Sequence, residues 1–298
     1  MRNNLADLIW VSPDFDFELV SIQCKQAISE LYLIKAEVRS SQKGILFKDL
    51  LHTDAKIVIR CGEDLGEKRI LGGLITRFVH RRTRYGSLPN ASGKNYLYEV
   101  EIRPHLWLCQ RQVRSMVFQK QSVQDIVSLV LDRHGLAYQW LLKEIPRVRE
   151  YVIQYGESDY RFISRLLEEE GICFYFDQEA GKAIFSNDMD AHPDCKPSPE
   201  ATYVEEISPR FQFGKQEYIK DFSYQEEIGT GAFATHHYNY ETSQVDIGAD
   251  VSEGRVPNFD QFEHYKHSHN YPSQPHQLLT AHIWPVRTHK IHCHQGGC

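Results

Sequence analysis

The sequence predicts a mainly β chain of α+β class: a β region, a helix-containing insert, then a second β region. Three observations carry this. Strand-like alternation fills the first ~110 of the 298 residues; two amphipathic helical stretches follow, at Ser122–His134 and about Ser158–Glu170; strand-like runs then return from Val204 to about Tyr240. At ~100–200 residues per domain this length suggests about two domains.

The β reading rests on period-two patterns. Tyr96, Tyr98, Val100 and Ile102 share one face of Tyr96–Ile102. Ala55–Cys61 is a second strand, and Leu74–His80 a third, entered through Gly72-Gly73. Tyr85–Gly93 is turn-rich and reads as an exposed loop. Short strands with regular turns fit a barrel or a sandwich.

In Ser122–His134, Val123, Ile126, Val127, Val130 and Leu131 follow helical spacing. Ser122 and Asp125 have the spacing of a capping box, and Gly135 suits a left-handed C-cap. In the second helix Ser158 caps, Phe162, Ile163, Leu166 and Leu167 form the apolar face, and Gly171 ends it. Glu168-Glu169-Glu170 opposes the helix dipole, so these residues are either a solvated face, partly offset by Arg165, or include a glutamate with a fixed tertiary partner. Ile172–Phe176 and Ala183–Ser186 read as a hairpin, and three prolines in His192–Pro199 mark a linker.

Composition excludes several classes. Hydrophobic residues make up 41% and charged residues 25%, an ordinary globular balance. The net charge of −6 does not suit a nucleic-acid partner. No apolar run approaches the ~20 residues of a membrane span, and the N-terminus lacks a signal-peptide core. The seven cysteines are widely spaced without a CxxC and read as buried free thiols in a reducing compartment. Catalytic signatures such as GxSxG, HExxH or Walker A are absent. Gly229–Ala234 mimics GxGxxA but reads as a loop, because no helix start follows. His289, His292, Cys293, His294 and Cys298 are metal-ligand types crowded into one terminal segment, which reads as a frayed tail. His80–Arg84 reads as a solvated strand end. Neither cofactor nor metal site is expected.

One stretch is specific. Ile102–Cys109 (IRPHLWLC), Arg114–Gln119 (RSMVFQ), the Ser122–Gly135 helix and Gln154–Phe176 (QYGESDYRFISRLLEEEGICFYF) together resemble the N-terminal hub region of VgrG-type type VI secretion spikes. That region is related to phage late control protein D and the contractile-tail baseplate hub. The likeness runs from Phe15 to Tyr224 and includes Leu71–Phe78. It implies two barrel-like β domains around the insert: 1–111 a first hub barrel, 112–190 the helix and hairpin insert, 200–258 part of a second β domain, and 259–298 a divergent His-rich tail. Leu278–His289 does not resemble the family, so the chain reads as a truncated member.

The resemblance implies a non-enzymatic role. The chain would be a homotrimer seated on an Hcp-like tube, with an effector or full-length spike chains as further partners. It would assemble in the cytoplasm, without nucleic acid or stable membrane insertion, and be secreted through the type VI apparatus. A phage-tail hub is the nearest alternative; a cell-wall hydrolase effector is one of a different class. The motif residues take structural roles: Trp107 and Phe118 pack the insert, and Phe162 and Leu166 seat the second helix on the strand carrying Phe174 and Phe176. Asp159 sits in the first helical turn, Arg165 and Glu170 bind across elements, and Tyr155 and Gly171 complete the motif.

Overall fold

A computed structural model describes residues 6–10, 15–61, 67–81, 96–188 and 193, and short strands at 202–203, 218–223, 232–237, 247–252, 263–267 and 292–295. The first sheet contains β1 (Ala6–Trp10), β2 (Glu18–Lys25), β3 (Leu33–Ser40), β4 (Asp54–Cys61), β5 (Glu67–Arg81) and β6 (Tyr96–Arg103). Their order is β1-β4-β5-β6-β3-β2, and every pair is antiparallel. The outermost strands β1 and β2 approach each other, so the sheet curls around its own core. The result is a half-barrel, whose end strands β1 and β2 are not hydrogen-bonded to each other. Ile34, Ala36 and Val38 of β3 meet Tyr98, Val100 and Ile102 of β6 and Ile57 of β4 inside. Each large aliphatic side chain buried this way stabilises by roughly 1.5–3 kcal/mol.

Gly72 and Gly73 lie within β5, not at its entrance. The reason is a non-local close approach. Tyr32 Oη donates to the Gly72 carbonyl at 2.5 Å. A Cβ on Gly73, whose φ is +154°, would collide with the Arg103 carbonyl oxygen and lie 2.8 Å from Tyr32 Oη. A side chain here would therefore push β5 away from β6.

A 3-10 turn at His105–Arg111 leads from the barrel into the insert, which contains β7 (Val113–Ser122), α1 (Val123–Arg133), β8 (Tyr138–Leu141), β9 (Val148–Ser158), α2 (Asp159–Glu169), β10 (Cys173–Asp177) and β11 (Lys182–Ser186). β7 and β9 form an antiparallel ribbon, and β10-β11-β8 form a second sheet. β10 and β11 are the hairpin read from the sequence, and β8 joins β11 in parallel. α1 has the full capping box: Asp125 N–H donates to Ser122 Oγ and Ser122 N–H to Asp125 Oδ2. The buried stripe Val123, Ile126, Val127, Val130 and Leu131 packs against Phe162, Ile163, Leu166 and Leu167 of α2.

The hairpin ties the insert to the barrel. Ser29 N–H donates to the Phe174 carbonyl at 2.8 Å, and Phe174 N–H returns to Ser29 Oγ at 3.3 Å. Tyr32 meets Phe176 edge-on, with ring centres 5.0 Å apart. His105 Nε2 and Asp54 Oδ1 are 2.7 Å apart across the same seam. The seam encloses a crevice of about 20 Å³, lined by Tyr32, His105, Leu131 and Phe176 among others. That is room for about one water.

Two small sheets follow. β12 (Thr202–Tyr203), β13 (Tyr218–Ser223) and β17 (His292–Gln295) form one; β14 (Ala232–His237), β15 (Ile247–Ser252) and β16 (Glu263–His267) form the other. Two sequence expectations change here. Ala232–Ala234 of the GxGxxA mimic begins a strand paired on both sides, rather than lying in a loop. His292–Gln295 pairs with β13, so this part of the tail is held by a ladder rather than frayed. Residues 229–231, the 85–93 loop and most of the 192–199 linker lie outside the described residues. Of the cysteines whose environment is described, Cys109 is buried and Cys173 half-buried, but Cys24 is exposed. β2 is an edge strand, laddered to β3 on one side only.

Candidate functional site

Most of the motif residues gather around the α1–α2 junction of the insert; Trp107 and Tyr155 do not. Asp159 opens α2 and is held from three sides. Gln154 Nε2 donates to Asp159 Oδ1 at 2.8 Å, His134 Nε2 lies 2.8 Å from Oδ2, and Arg114 Nε lies 3.5 Å from the same oxygen. The His134 and Asp159 side chains are 6% and 2% exposed. His134 caps the C-terminus of α1 while Asp159 starts α2. A carboxylate suits a helix N-terminus, so this contact joins the two helices through their ends.

A second clamp holds the far end of α2. Arg149 of β9, itself buried, donates from Nη1 to Glu169 Oε2 at 2.7 Å and from Nη2 to Glu170 Oε1 at 2.5 Å. Burial opposes its charge, but the hydrogen bonds it donates to both glutamates outweigh this and raise the Arg149 pKa above its ordinary value. Glu170 also caps α2, and Gly171 follows at φ +65° in the left-handed turn. Two of the three glutamates thus have a tertiary partner, which stabilises a carboxylate cluster at the wrong end of a helix dipole.

Arg165 forms the third clamp. Its Nη2 donates to Glu157 Oε1 at 2.8 Å and to the Ile153 carbonyl at 2.6 Å, and its guanidinium sits 5.0 Å from the Phe162 ring centre. The partner of Arg165 is therefore Glu157 on β9, not Glu168 or Glu169 one turn along α2. Phe118 stacks on Phe162 at 5.4 Å. Leu166 and Phe174 are buried in the same core, and Phe176 packs against it. Trp107 stands apart from this junction, half-exposed, with the guanidiniums of Arg103 and Arg111 at 5.6 and 4.2 Å from its ring. Tyr155 is 83% exposed, so the structure places it on the outer surface.

Cysteine, histidine and aspartate are residue types used in nucleophilic catalysis. Burial, and secondarily the Asp159 carboxylate, pushes the Cys109 thiol up to about 12, so it stays protonated near neutral pH. With His134 and Asp159 sealed from solvent, this arrangement locks two helices together. Sequence reading missed Arg149, His134, Gln154 and Arg114. Gln154 and Arg114 fall inside the motif; Arg149 lies outside it and had no local signal.

A curled six-stranded sheet carrying a clamped helical insert is the architecture to set against known folds. The chain belongs to the phage tail baseplate hub (GPD) family, whose model matches residues 25–283, and is of the VgrG type. That match extends past Tyr224 and into the terminal segment, further than the sequence motifs alone carried the resemblance. The type VI secretion system spike protein VgrG1b of Pseudomonas aeruginosa is 25% identical over 238 residues, covering 78% of this chain and 31% of the relative. The chain thus spans about a third of that relative's length. The E. coli c3393 protein, described as a type VI secretion component structurally similar to the T4 tail proteins gp27 and gp5, superimposes with a TM-score of 0.57 at 23% identity. That likeness covers 74% of this chain and 56% of the other. The 43 kDa tail protein of prophage MuSo2 from Shewanella oneidensis has the same fold, with a TM-score of 0.52 at 10% identity over 86% of this chain and 69% of its own. Among the described residues no helix is long and apolar enough to cross a membrane.

Proposed function

We propose that this chain is a structural hub component of a type VI secretion spike, built to assemble rather than to catalyse. The observation that carries this reading is the curled β sheet with its clamped insert, in a chain whose residues 25–283 match the hub family. In this reading 1–111 is the hub barrel, 112–190 the insert, 200–258 part of a second β domain and 259–298 a His-rich tail that diverges after the family match ends at residue 283. Three copies close into a ring on a tube of Hcp-like protein, and effector or full-length spike chains attach to that ring. The hub assembles in the cytoplasm and leaves through the type VI apparatus. The motif residues act as braces: rigid insert helices keep the barrel's outer contour fixed while the ring bears load.

A phage-tail hub is the second reading. The family's own description as a phage tail baseplate hub favours it. Both readings share one first test, the absolute mass of the purified chain by light scattering. The expected mass is three times the 34.7 kDa of one chain, with co-sedimentation on polymerised tube protein. A monomer at all concentrations that ignores the tube would refute hub assembly by this chain. Binding to a phage tube protein in preference to an Hcp-like one would select the second reading.

A further inference from the structure

Six of the thirteen large hydrophobic side chains that stand exposed among the described residues lie on the β7–β9 ribbon, so exposed apolar surface is concentrated there. The ribbon's inner face, with Phe118 and Val152, is buried on the helices. Its outer face centres on Val117 and its cross-strand partner Ile153, 52% and 45% exposed. Tyr151 and Tyr155 are exposed beside them, and Val113 and Val148 at the ends. Arg114, Arg149 and Glu157 of the ribbon are engaged elsewhere, with Asp159, with Glu169 and Glu170, and with Arg165. The central outer rows, Val117 beside Ile153 and Gln119 beside Tyr151, carry no charge. The six side chains leave roughly 500 Å² of apolar surface open. A patch of that size on a single chain is often functional.

A flat face without charge in its centre needs an apolar, uncharged complement. The other exposed hydrophobics, such as Val20, Leu46 and Leu129, sit singly on separate elements, so the described residues offer no second face of this kind. The complement within the chain is the same face on another copy, an isologous contact about a two-fold axis. Two such faces bury about 1,000 Å² in total, the least that a specific interface clears. We propose that two copies of this chain pair ribbon to ribbon, with Val117 and Ile153 near the axis and the two ribbons about 10 Å apart, as in stacked sheets. The small area makes the pairing reversible and dependent on concentration. A two-fold contact cannot lie inside a ring of three. It stands apart from the ring and tube contacts proposed above and joins either two rings or two chains outside a ring.

The test is the mass of the full chain by light scattering over about a 100-fold range of concentration. The mass should double from its low-concentration value, whether that value is one chain or three. Val117→Glu and Val117→Lys each bring like charges together at the axis and should each raise the pairing Kd about 10-fold or more. Mixed in equal amounts, the two variants should pair again. Tyr155→Ser, at the most exposed position of the face, should weaken pairing about 3-fold without adding a charge, and serves if a charged variant fails to fold. A mass that stays constant with concentration, doubling that persists unchanged in the variants, or a mixture of folded charged variants that stays unpaired would each overturn the proposal. A constant mass of three chains that binds the tube would reject this proposal and leave the hub reading intact. Doubling by a chain that ignores the tube would reject the hub reading alone.

Discussion

The barrel and the insert reach stability by different routes. The barrel core is almost wholly aliphatic and aromatic, and its main buried carboxylate, Glu101, sits on the inner strand β6 between Arg77 and Arg103. The insert core is also apolar, but charged clamps at Asp159, Arg149 and Arg165 surround it. The difference follows from topology. A curled sheet satisfies its backbone through ladders and needs little else to fix its register. Two short helices on a two-stranded ribbon have no such ladder between them, so polar contacts fix their mutual position. Buried pairs of this kind add specificity more reliably than net stability.

The sharpest way to break this contrast is Arg149→Met. It leaves Glu169 and Glu170 without their buried partner and should cost about 3–5 kcal/mol by denaturant unfolding. Replacing Arg149, Glu169 and Glu170 together by apolar residues should recover much of that loss. A single-variant cost below about 1 kcal/mol would mean that the insert is held by apolar packing alone, as the barrel is.

Features that arise within one turn or one strand were legible in the sequence. The Ser122–Asp125 box, the apolar stripe of α1, the left-handed turns at Gly135 and Gly171 and the alternation of β6 all follow from neighbours a few residues apart. Features set by distant contacts were not. Gly72-Gly73 reads as a strand entrance, because the carbonyl of Arg103 and the hydroxyl of Tyr32 that demand glycine arrive from elsewhere in the chain. Arg149 reads as one arginine among many until folding sets it beside two glutamates twenty residues downstream. The exposed Tyr155 lies in the same motif as buried Phe162, and local pattern cannot tell an outer-face aromatic from a core one.

A smaller effect tests the barrel side. Burial works against charge on Glu101, but hydrogen bonds from Arg77 and Arg103 outweigh it and hold its carboxyl below the usual range. A carboxylate depressed in the folded state contributes stability above its unfolded value of ~4.3 and loses it as pH falls through the folded value. Glu101→Gln should therefore cost about 2 kcal/mol at neutral pH, with a difference from the parent that shrinks steadily below pH ~4. A penalty independent of pH would assign Glu101 a packing role and remove its charge from the account of this strand.

The mildest perturbation is Ser122→Ala at the α1 cap. Ser122 Oγ accepts from Asp125 N–H at 3.1 Å and donates to Asp125 Oδ2 at 2.6 Å, so the substitution removes the cap and leaves one first-turn N–H unpaired. The expected cost is about 1 kcal/mol. Its location sharpens the comparison, because α1 meets α2 at its other end, through His134 and Asp159. If the clamps fix the helices independently, Ser122→Ala and His134→Gln should add within about 0.5 kcal/mol in a double-mutant cycle. A larger coupling would mean that α1 transmits strain along its length and that cap and clamp work as one brace.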